Sequence, residues 1–427
     1  MTPASTSPTV IPAARLRGRL TLPADKSIAH RALIFGAMSG GPTTVTMRAP
    51  GRDVLSTLGC LRALGVSLEE SDTRYLISGR PSRDAELDCG NSGTTMRLLA
   101  GVVAGLPLRA TLDGDESLRA RPMERVATLL RAAGAEVTTT DGHAPLTVAG
   151  RASLAPTTHR LPVASAQLLA AAALAGLSAP GETIIDTPGP TRDHTERMLA
   201  FMGVPIHREG RLTTVTGRAE LRPFELEVPG DLSAASAWLV AAALHPDAEL
   251  TMAQVGLNPT RLALVGLLQR MGVEIETRVT GVSGSEPLGE ISVRGGRPLR
   301  SVTIGGGEVA DLIDELPLIA IAMASVDDAS EVRDASELRV KETDRIAAMV
   351  AGLRAIGAEV EELPDGWRVR RGNPREARIT THGDHRIAIA FAIAGLTGVA
   401  TAVELDDPEC ASVSYPTFWQ DLAAVRA

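Results

Sequence analysis

LRALGVSLEE, residues 61–70, reads as an apolar helix end, a glycine and an alternating strand. Gly65 suits the left-handed residue that closes a helix. The alternation after it suits a half-buried strand. The phrase returns as LRAAGAEVTT (130–139), LAFMGVPIHR (199–208), LQRMGVEIET (268–277) and LRAIGAEVEE (353–362). Its glycines, Gly65, Gly134, Gly203, Gly272 and Gly357, stand 69, 69, 69 and 85 residues apart. Ahead of each stands an arginine: Arg52, Arg121, Arg192, Arg261 and Arg345. That spacing predicts a helix of ~12 residues leading into each glycine.

Working outward, an Ala/Leu/Ile-rich helix opens each unit. These helices read from Asp25, Gly90, Ser165, Asp231, Asp311 and Asp384, with Asp, Asn or Ser near the N-cap. Six units, each with two helices and several strands, therefore fill the chain, giving an α/β protein. LPADKSIAHRAL (22–33) parallels VPGDLSAASAWL (228–239), and both place Pro-x-Asp-x-Ser before a helix. Two halves of three units each are implied, with hinges near Pro23 and Pro229. The N-terminal strand, Arg15–Leu22, is expected to join the C-terminal half. A solenoid fits less well, because its repeats usually run ~20–45 residues.

The 427 residues are 44% hydrophobic and 22% charged, as in an ordinary soluble globular protein. A net charge of −8 and 2% aromatics argue against a nucleic-acid binder. Cys60, Cys89 and Cys410 stand far apart, with neither a C-x-x-C nor a zinc spacing, which suits a reducing cytosol. The start, MTPASTSPTVIPAAR, reads as a Ser/Thr/Pro tail rather than a signal peptide. The longest apolar stretch, Leu161–Leu177, contains Ser165 and Gln167 and is too short and too weakly apolar for a membrane span. Among 43 basic residues only Lys26 and Lys341 are lysines. Arginine replaces lysine poorly where a compact donor is needed, so both positions draw notice.

Polar and basic groups gather at helix starts, where free N–H groups and the helix dipole attract anions. Lys26, Ser27 and Arg31 follow one start. Asn91, Ser92, Gly93 and Thr94 form a tight turn at another, and Ser165, Ala166 and Gln167 open a third. Lys341, Glu342, Asp344 and Arg345 cluster in KETDR, and His385 and Arg386 in DHR. In an acidic chain these clusters predict focused anion sites. Lys26-Ser27 follows Asp25 and lacks the glycines of a P-loop, and no dinucleotide fingerprint follows a strand. His382 and His385 lack a metal-ligand partner set, and hydrogen bonding is the expected role of His385. Asp314 sits in DLIDELPLIAIAMA, read as one apolar helix, where a buried carboxylate would serve as a general base.

LPADKSIAHRAL, GNSGTTMRLL, DESLRARPM, SAQLLAAAL, RDHTERM, DLIDELP, RVKETDR and GDHRIAIA resemble, in order, the motifs of the 5-enolpyruvylshikimate-3-phosphate synthase family of enolpyruvyl transferases. The resemblance runs from about Leu20 to Pro416. It implies two domains, each of three βαβαββ units in an inside-out α/β barrel: residues 1–23 with 230–427, and residues 24–229. It implies transfer of the carboxyvinyl group of phosphoenolpyruvate to the 5-hydroxyl of shikimate 3-phosphate, with release of phosphate, on the route to chorismate and aromatic amino acids. By motif, Lys26, Ser27, Arg31, Ser165, Ala166, Gln167, Asp314 and Lys341 would bind shikimate 3-phosphate. Lys26, Gly93, Arg121, Gln167, Arg345 and Arg386 would bind phosphoenolpyruvate. Asp314, Glu342 and Lys26 would be catalytic, with Asp314 taking the hydroxyl proton and Glu342 serving the methylene carbon. No metal or organic cofactor, no nucleic acid and no membrane is implied, and a cytoplasmic monomer is expected.

The sister family, UDP-N-acetylglucosamine enolpyruvyl transferase, differs at two places. It carries Lys-Asn where this chain has Lys26-Ser27, and a reactive cysteine in the loop that here runs from Asp113 to Arg121 without one. Intact Lys26, Asp314, Lys341 and Glu342 speak against a non-catalytic anion-binding scaffold. Val413 replaces a lysine found in some members near phosphoenolpyruvate. RDHTE (192–196) and NPTR (258–261) resemble a variant associated with tolerance of glyphosate, the herbicide aimed at this family, although SAQLL lacks that variant's usual lysine.

Overall fold

In the computed structural model, residues 9–426 are described; the first eight residues of the Ser/Thr/Pro tail and Ala427 lie outside the described residues. The main helices are α1 (Lys26–Ser39), α2 (Arg52–Ala63), α3 (Gly93–Ala104), α4 (Glu124–Ala132), α5 (Ala166–Gly176), α6 (His194–Phe201), α7 (Leu232–Leu244), α8 (Ala263–Arg270), α9 (Glu308–Leu312), α10 (Leu316–Met323), α11 (Arg345–Ala355) and α12 (His385–Thr397). A short polar side chain caps each unit-opening helix except α10. Asp25 accepts from the Ile28 amide, Ser92 from Thr95, Ser165 from Leu168, Asp231 from Ser233 and Asp384 from Arg386. Each such cap satisfies an otherwise orphaned N–H and contributes ~1 kcal/mol.

The capped helices are apolar nearly all round. In α7 every residue from Leu232 to Ala243 is buried, which is the pattern of a central helix. The strands instead alternate, as His143–Ala149 does, with Ala144, Leu146 and Val148 buried and the residues between them partly exposed. Helices therefore fill the centre of each unit and sheets cover them, each with one face toward the core.

The chain divides into two units: residues 1–23, 229–281 and 287–427, and residues 24–228 with 282–286. In the second unit one sheet pattern occurs three times. Ala85–Asp88 pairs in parallel with Arg109–Asp113, which pairs antiparallel with His143–Ala149, then Glu136–Thr140. Thr158–Arg160, Glu182–Asp186, Leu212–Thr216 and Ile206–Glu209 repeat it. Glu225–Glu227 comes from the far end of the unit to complete the sheet of Thr43–Thr46, Arg74–Ser78 and Ser67–Ser71. In the first unit Leu16–Thr21 pairs in parallel with Ala248–Gly256 of the C-terminal half, and Thr303–Ile304, Ser330–Val332, Gly366–Arg370 and Glu359–Leu363 form a further copy. The sixth unit is shortened: Glu376–Ile379 and Ala402–Leu405 form a two-stranded sheet, bridged by Val10 to Val403.

The five repeat glycines adopt φ of +91°, +103°, +89°, +102° and +94° in chain order, a region side-chain-bearing residues avoid. Two expectations are corrected. The helices into these glycines are not uniformly about twelve residues. Arg52 and Arg345 do open α2 and α11, but Arg121 and Arg192 stand ahead of α4 and α6, and Arg261 ends the 3-10 turn Pro259–Arg261. Pro122 disfavours the helical region at Arg121, which stands in a bend. Likewise DLIDELPLIAIAMA is not one helix. α9 ends at Leu312, Ile313–Glu315 turn, and α10 begins with Pro317 in its first turn, where the missing N–H cannot continue the earlier ladder.

Candidate active site

In the second unit, three helix starts are wired together. Lys26, the first residue of α1, places Nζ 3.0 Å from Asp53 Oδ2 in the first turn of α2. Ser27 follows, and one turn later Arg31 donates from Nη1 to the Ser27 carbonyl (2.9 Å) and from Nε to Thr195 Oγ1 (2.8 Å). Burial lowers the Arg31 guanidinium to about 10, so it remains a cation at neutral pH. His30 Nδ1 and Thr57 Oγ1 are 2.7 Å apart, Thr57 and Thr95 hydroxyls 2.8 Å, and Thr95 donates to Ser92 Oγ at 2.7 Å. This buried relay holds α1, α2 and α3 in register.

Gly93 opens α3 beneath two guanidinium groups. A Cβ there would lie 2.7 Å from Arg97 Nη1 and 3.3 Å from Arg121 Nη1. Arg97 donates to Gln167 Oε1 at 2.7 Å, and Gln167 Nε2 donates to Thr94 Oγ1 at 2.8 Å, which joins the starts of α3 and α5. Ser165 caps α5 and Ala166 is its first residue. Arg121 donates to Asn91 Oδ1 at 2.6 Å. Lys26, Ser27, Arg31, Gly93, Arg121, Ser165, Ala166 and Gln167 thus belong to one wired group within this unit.

The first unit holds a second group. Asp314 lies in the turn between α9 and α10, with Oδ1 3.6 Å from Lys341 Nζ and 3.8 Å from Arg345 Nη1. Its side chain is 23% exposed, so the expectation of a buried helical carboxylate is corrected: Asp314 is partly open and faced by two cations. Arg345 is 1% exposed. It donates to Asp384 (2.8 Å from Nε) and to Glu342 Oε2 (2.7 Å from Nη2). Burial opposes its charge, but the carboxylates of Asp384 and Glu342 outweigh that and hold its pKa above the ordinary value. His385 and Arg386 open α12 beside Asp384 and are buried.

Arg97, Asp53, Thr195 and Asp384 hold these groups together, and the sequence assigned none of them a role in the site. Arg97 alone left a signal: it lies one turn after Gly93 in GNSGTTMRLL. Asp53, Thr195 and Asp384 read as ordinary first-turn or capping residues. Among the described residues no group of three or more His, Cys, Asp or Glu side chains could hold a metal ion. Nor is any described helix long and apolar enough to cross a membrane.

Residues 10–422 match the sequence model of the family described as EPSP synthase (3-phosphoshikimate 1-carboxyvinyltransferase). The chain is 45% identical to the 3-phosphoshikimate 1-carboxyvinyltransferase of Salinibacter ruber, over 98% of this chain and 99% of the relative. It is 46% identical to that of Roseiflexus castenholzii, with the same coverage. Among solved structures, EPSP synthase from Acinetobacter baumannii superposes with a TM-score of 0.85 at 36% identity, covering 98% of both chains. The enolpyruvyl transferase NikO from Streptomyces tendae superposes at 0.78 with 19% identity over 98% of both chains, a likeness of fold alone.

Proposed function

The chain belongs to the EPSP synthase (3-phosphoshikimate 1-carboxyvinyltransferase) family, and from that premise we infer its reaction and the role of each site residue. It transfers the carboxyvinyl group of phosphoenolpyruvate to the 5-hydroxyl of shikimate 3-phosphate and releases inorganic phosphate. The observation that carries this reading is a near-full-length match joined to two wired groups of cations at helix starts.

Both substrates are phosphate- and carboxylate-bearing anions. Charge-assisted hydrogen bonds from preorganised cations contribute ~1.5–3 kcal/mol each. We assign Lys26, Ser27, Arg31, Ser165, Ala166, Gln167, Asp314 and Lys341 to shikimate 3-phosphate. Lys26, Gly93, Arg121, Gln167, Arg345 and Arg386 are assigned to phosphoenolpyruvate. The Gly93 position supports this: without a Cβ, the Arg97 and Arg121 guanidiniums come close to the backbone that opens α3.

A proton delivered to the methylene carbon makes C2 of phosphoenolpyruvate electrophilic, and Glu342 is the group assigned to this transfer. The 5-hydroxyl oxygen then bonds to C2, and its proton passes to the Asp314 carboxylate. Phosphate leaves from the resulting tetrahedral centre as the methyl group gives back a proton, restoring the double bond. Lys341 Nζ and Arg345 Nη1 stand 3.6 and 3.8 Å from Asp314 Oδ1 and set opposite charge against the carboxylate assigned to accept that proton. Three free, buried thiols suit a cytosolic setting. Phosphate release from phosphoenolpyruvate tests the reading. It should require shikimate 3-phosphate, and release with UDP-N-acetylglucosamine instead would overturn the substrate assignment.

A further inference from the structure

The turn that carries Asp314 has little backbone to hold it. It joins the five-residue α9 to α10, and Pro317 contributes no N–H. Glu315 N donates to Leu312 O at 2.9 Å, and Glu315 O accepts from Ile319 at 3.0 Å. The neighbouring side chain is held far more firmly. Glu315 is 5% exposed, and its Oε1 accepts from Ser233 Oγ at 2.6 Å. Ser233 Oγ accepts in turn from Arg261 Nη2 at 2.5 Å. That same nitrogen stands 3.7 Å from Glu315 Oε1 and 3.8 Å from Asp231 Oδ1.

Arg261 itself is delivered by the NPTR turn. Asn258 Oδ1 accepts from the Thr260 amide (2.9 Å) and hydroxyl (2.8 Å) and so caps the 3-10 turn Pro259–Arg261. Asp231 caps α7 through the Ser233 amide at 2.7 Å. Arg261, Asp231 and Ser233 are each buried. Placing a guanidinium and two carboxylates out of water is costly even when they are paired, and an apolar packing would hold α7 against α8 more cheaply. What ions add is direction, because a guanidinium fixes the orientation of its partners.

We propose that Arg261 is a positioning residue for catalysis: acting through Ser233 and Glu315, it fixes the Ile313–Glu315 turn so that the Asp314 carboxylate stays opposite Lys341 and Arg345. This rests on the reading of Asp314 as the proton acceptor. A displacement of about 1 Å at a reacting group can cost ~10²-fold in rate. Lysine at 261 cannot reproduce the planar fork, and alanine at 233 removes the bridging hydroxyl.

The test is steady-state kinetics on Arg261→Lys and Ser233→Ala, each alone and combined with Asp314→Asn, with thermal melts. Each single variant should lower kcat by roughly 10- to 100-fold with KM for phosphoenolpyruvate, which Asp314 is not assigned to bind, nearly unchanged. In the Asp314→Asn background neither should lower the residual rate further, because contacts that act as one unit are non-additive. A merely structural role would reduce that residual rate by the same factor as in the parent. That result, or a parental kcat in both single variants, overturns the inference. Should Arg261→Lys fail to fold, Ser233→Ala carries the same test. A parental kcat for Asp314→Asn alone instead refutes the proton-acceptor reading beneath it.

Discussion

Lys26 is one of two primary amines among 43 basic residues. Its ammonium is 3.0 Å from Asp53, at the start of α1, and 23% of the side chain is exposed. An ammonium offers three donors around a compact charge, and a guanidinium is a wide flat fork. Arginine here would engage Asp53 with both nitrogens and turn away from the two substrates assigned to Lys26. Lys26→Arg should therefore fold normally, within about 1 kcal/mol of the parent, yet lose ~10²-fold or more in kcat. Melting curves and steady-state rates decide it, and a near-parental kcat would make the lysine incidental. Arg345 behaves differently. Two carboxylates, Asp384 and Glu342, already fix its guanidinium, so its geometry is set before any ligand arrives.

At the scale of elements, the repeat glycines and the helix starts respond to different forces. Gly134 has φ +103° and open space where a Cβ would go, so alanine there meets only backbone strain. Gly266 lies within α8 with equally open space. Gly134→Ala should destabilise by ~1–2 kcal/mol, and Gly266→Ala should stabilise by ~0.5–1 kcal/mol. Urea unfolding of both variants checks the opposite signs, and a neutral or stabilising Gly134→Ala would mean this turn does not need glycine. His30 links α1 to α2 through Thr57, and burial first, then Lys26 and Arg31, hold its pKa well below the ordinary value. The folded chain therefore keeps His30 neutral while the unfolded chain protonates it below pH ~6.5. Stability should fall as pH drops from 7 toward 5, by up to ~1.4 kcal/mol per pH unit from this residue. His30→Gln should flatten that slope in unfolding curves at pH 7, 6 and 5; an unchanged slope would show that His30 is charged in the fold.

At the scale of the molecule, two hydrophobic cores are separate in composition: one gathers Trp238, Trp367, Phe391 and Phe418, the other Phe35, Leu99 and Leu169. Each unit carries one wired group at its helix starts. A ligand that binds only the folded chain stabilises it by mass action, by ~2.7 kcal/mol at a hundred times its Kd. Shikimate 3-phosphate should raise Tm accordingly, and amide exchange should slow at the starts of α1 and α5 in one unit and at the Ile313–Glu315 turn in the other. A rise in Tm with protection at the starts of α1 and α5 alone would remove Asp314 and Lys341 from the set assigned to this substrate.

The repeat was legible in the chain because its physics is local. A left-handed glycine after an apolar helix, and Asp or Ser before an Ala-rich one, impose their conformations whatever surrounds them. The helix starts bearing Lys26, Gly93, Ser165, Arg345 and Arg386 followed from the same capping chemistry. Other features depend on partners distant in sequence. Only packing brings Arg97 to Gln167, Thr195 to Arg31 and Arg261 to Ser233 and Glu315, across 70, 164, 28 and, from Ser233 to Glu315, 82 residues. The break at Asp314 shows the divide. Its composition read as one apolar helix, but the chain turns there, because Pro317 cannot continue the ladder and Glu315 is anchored to Ser233, 82 residues away. Local propensity chose the elements; hydrogen bonds and ion pairs between distant segments set the direction of each functional group.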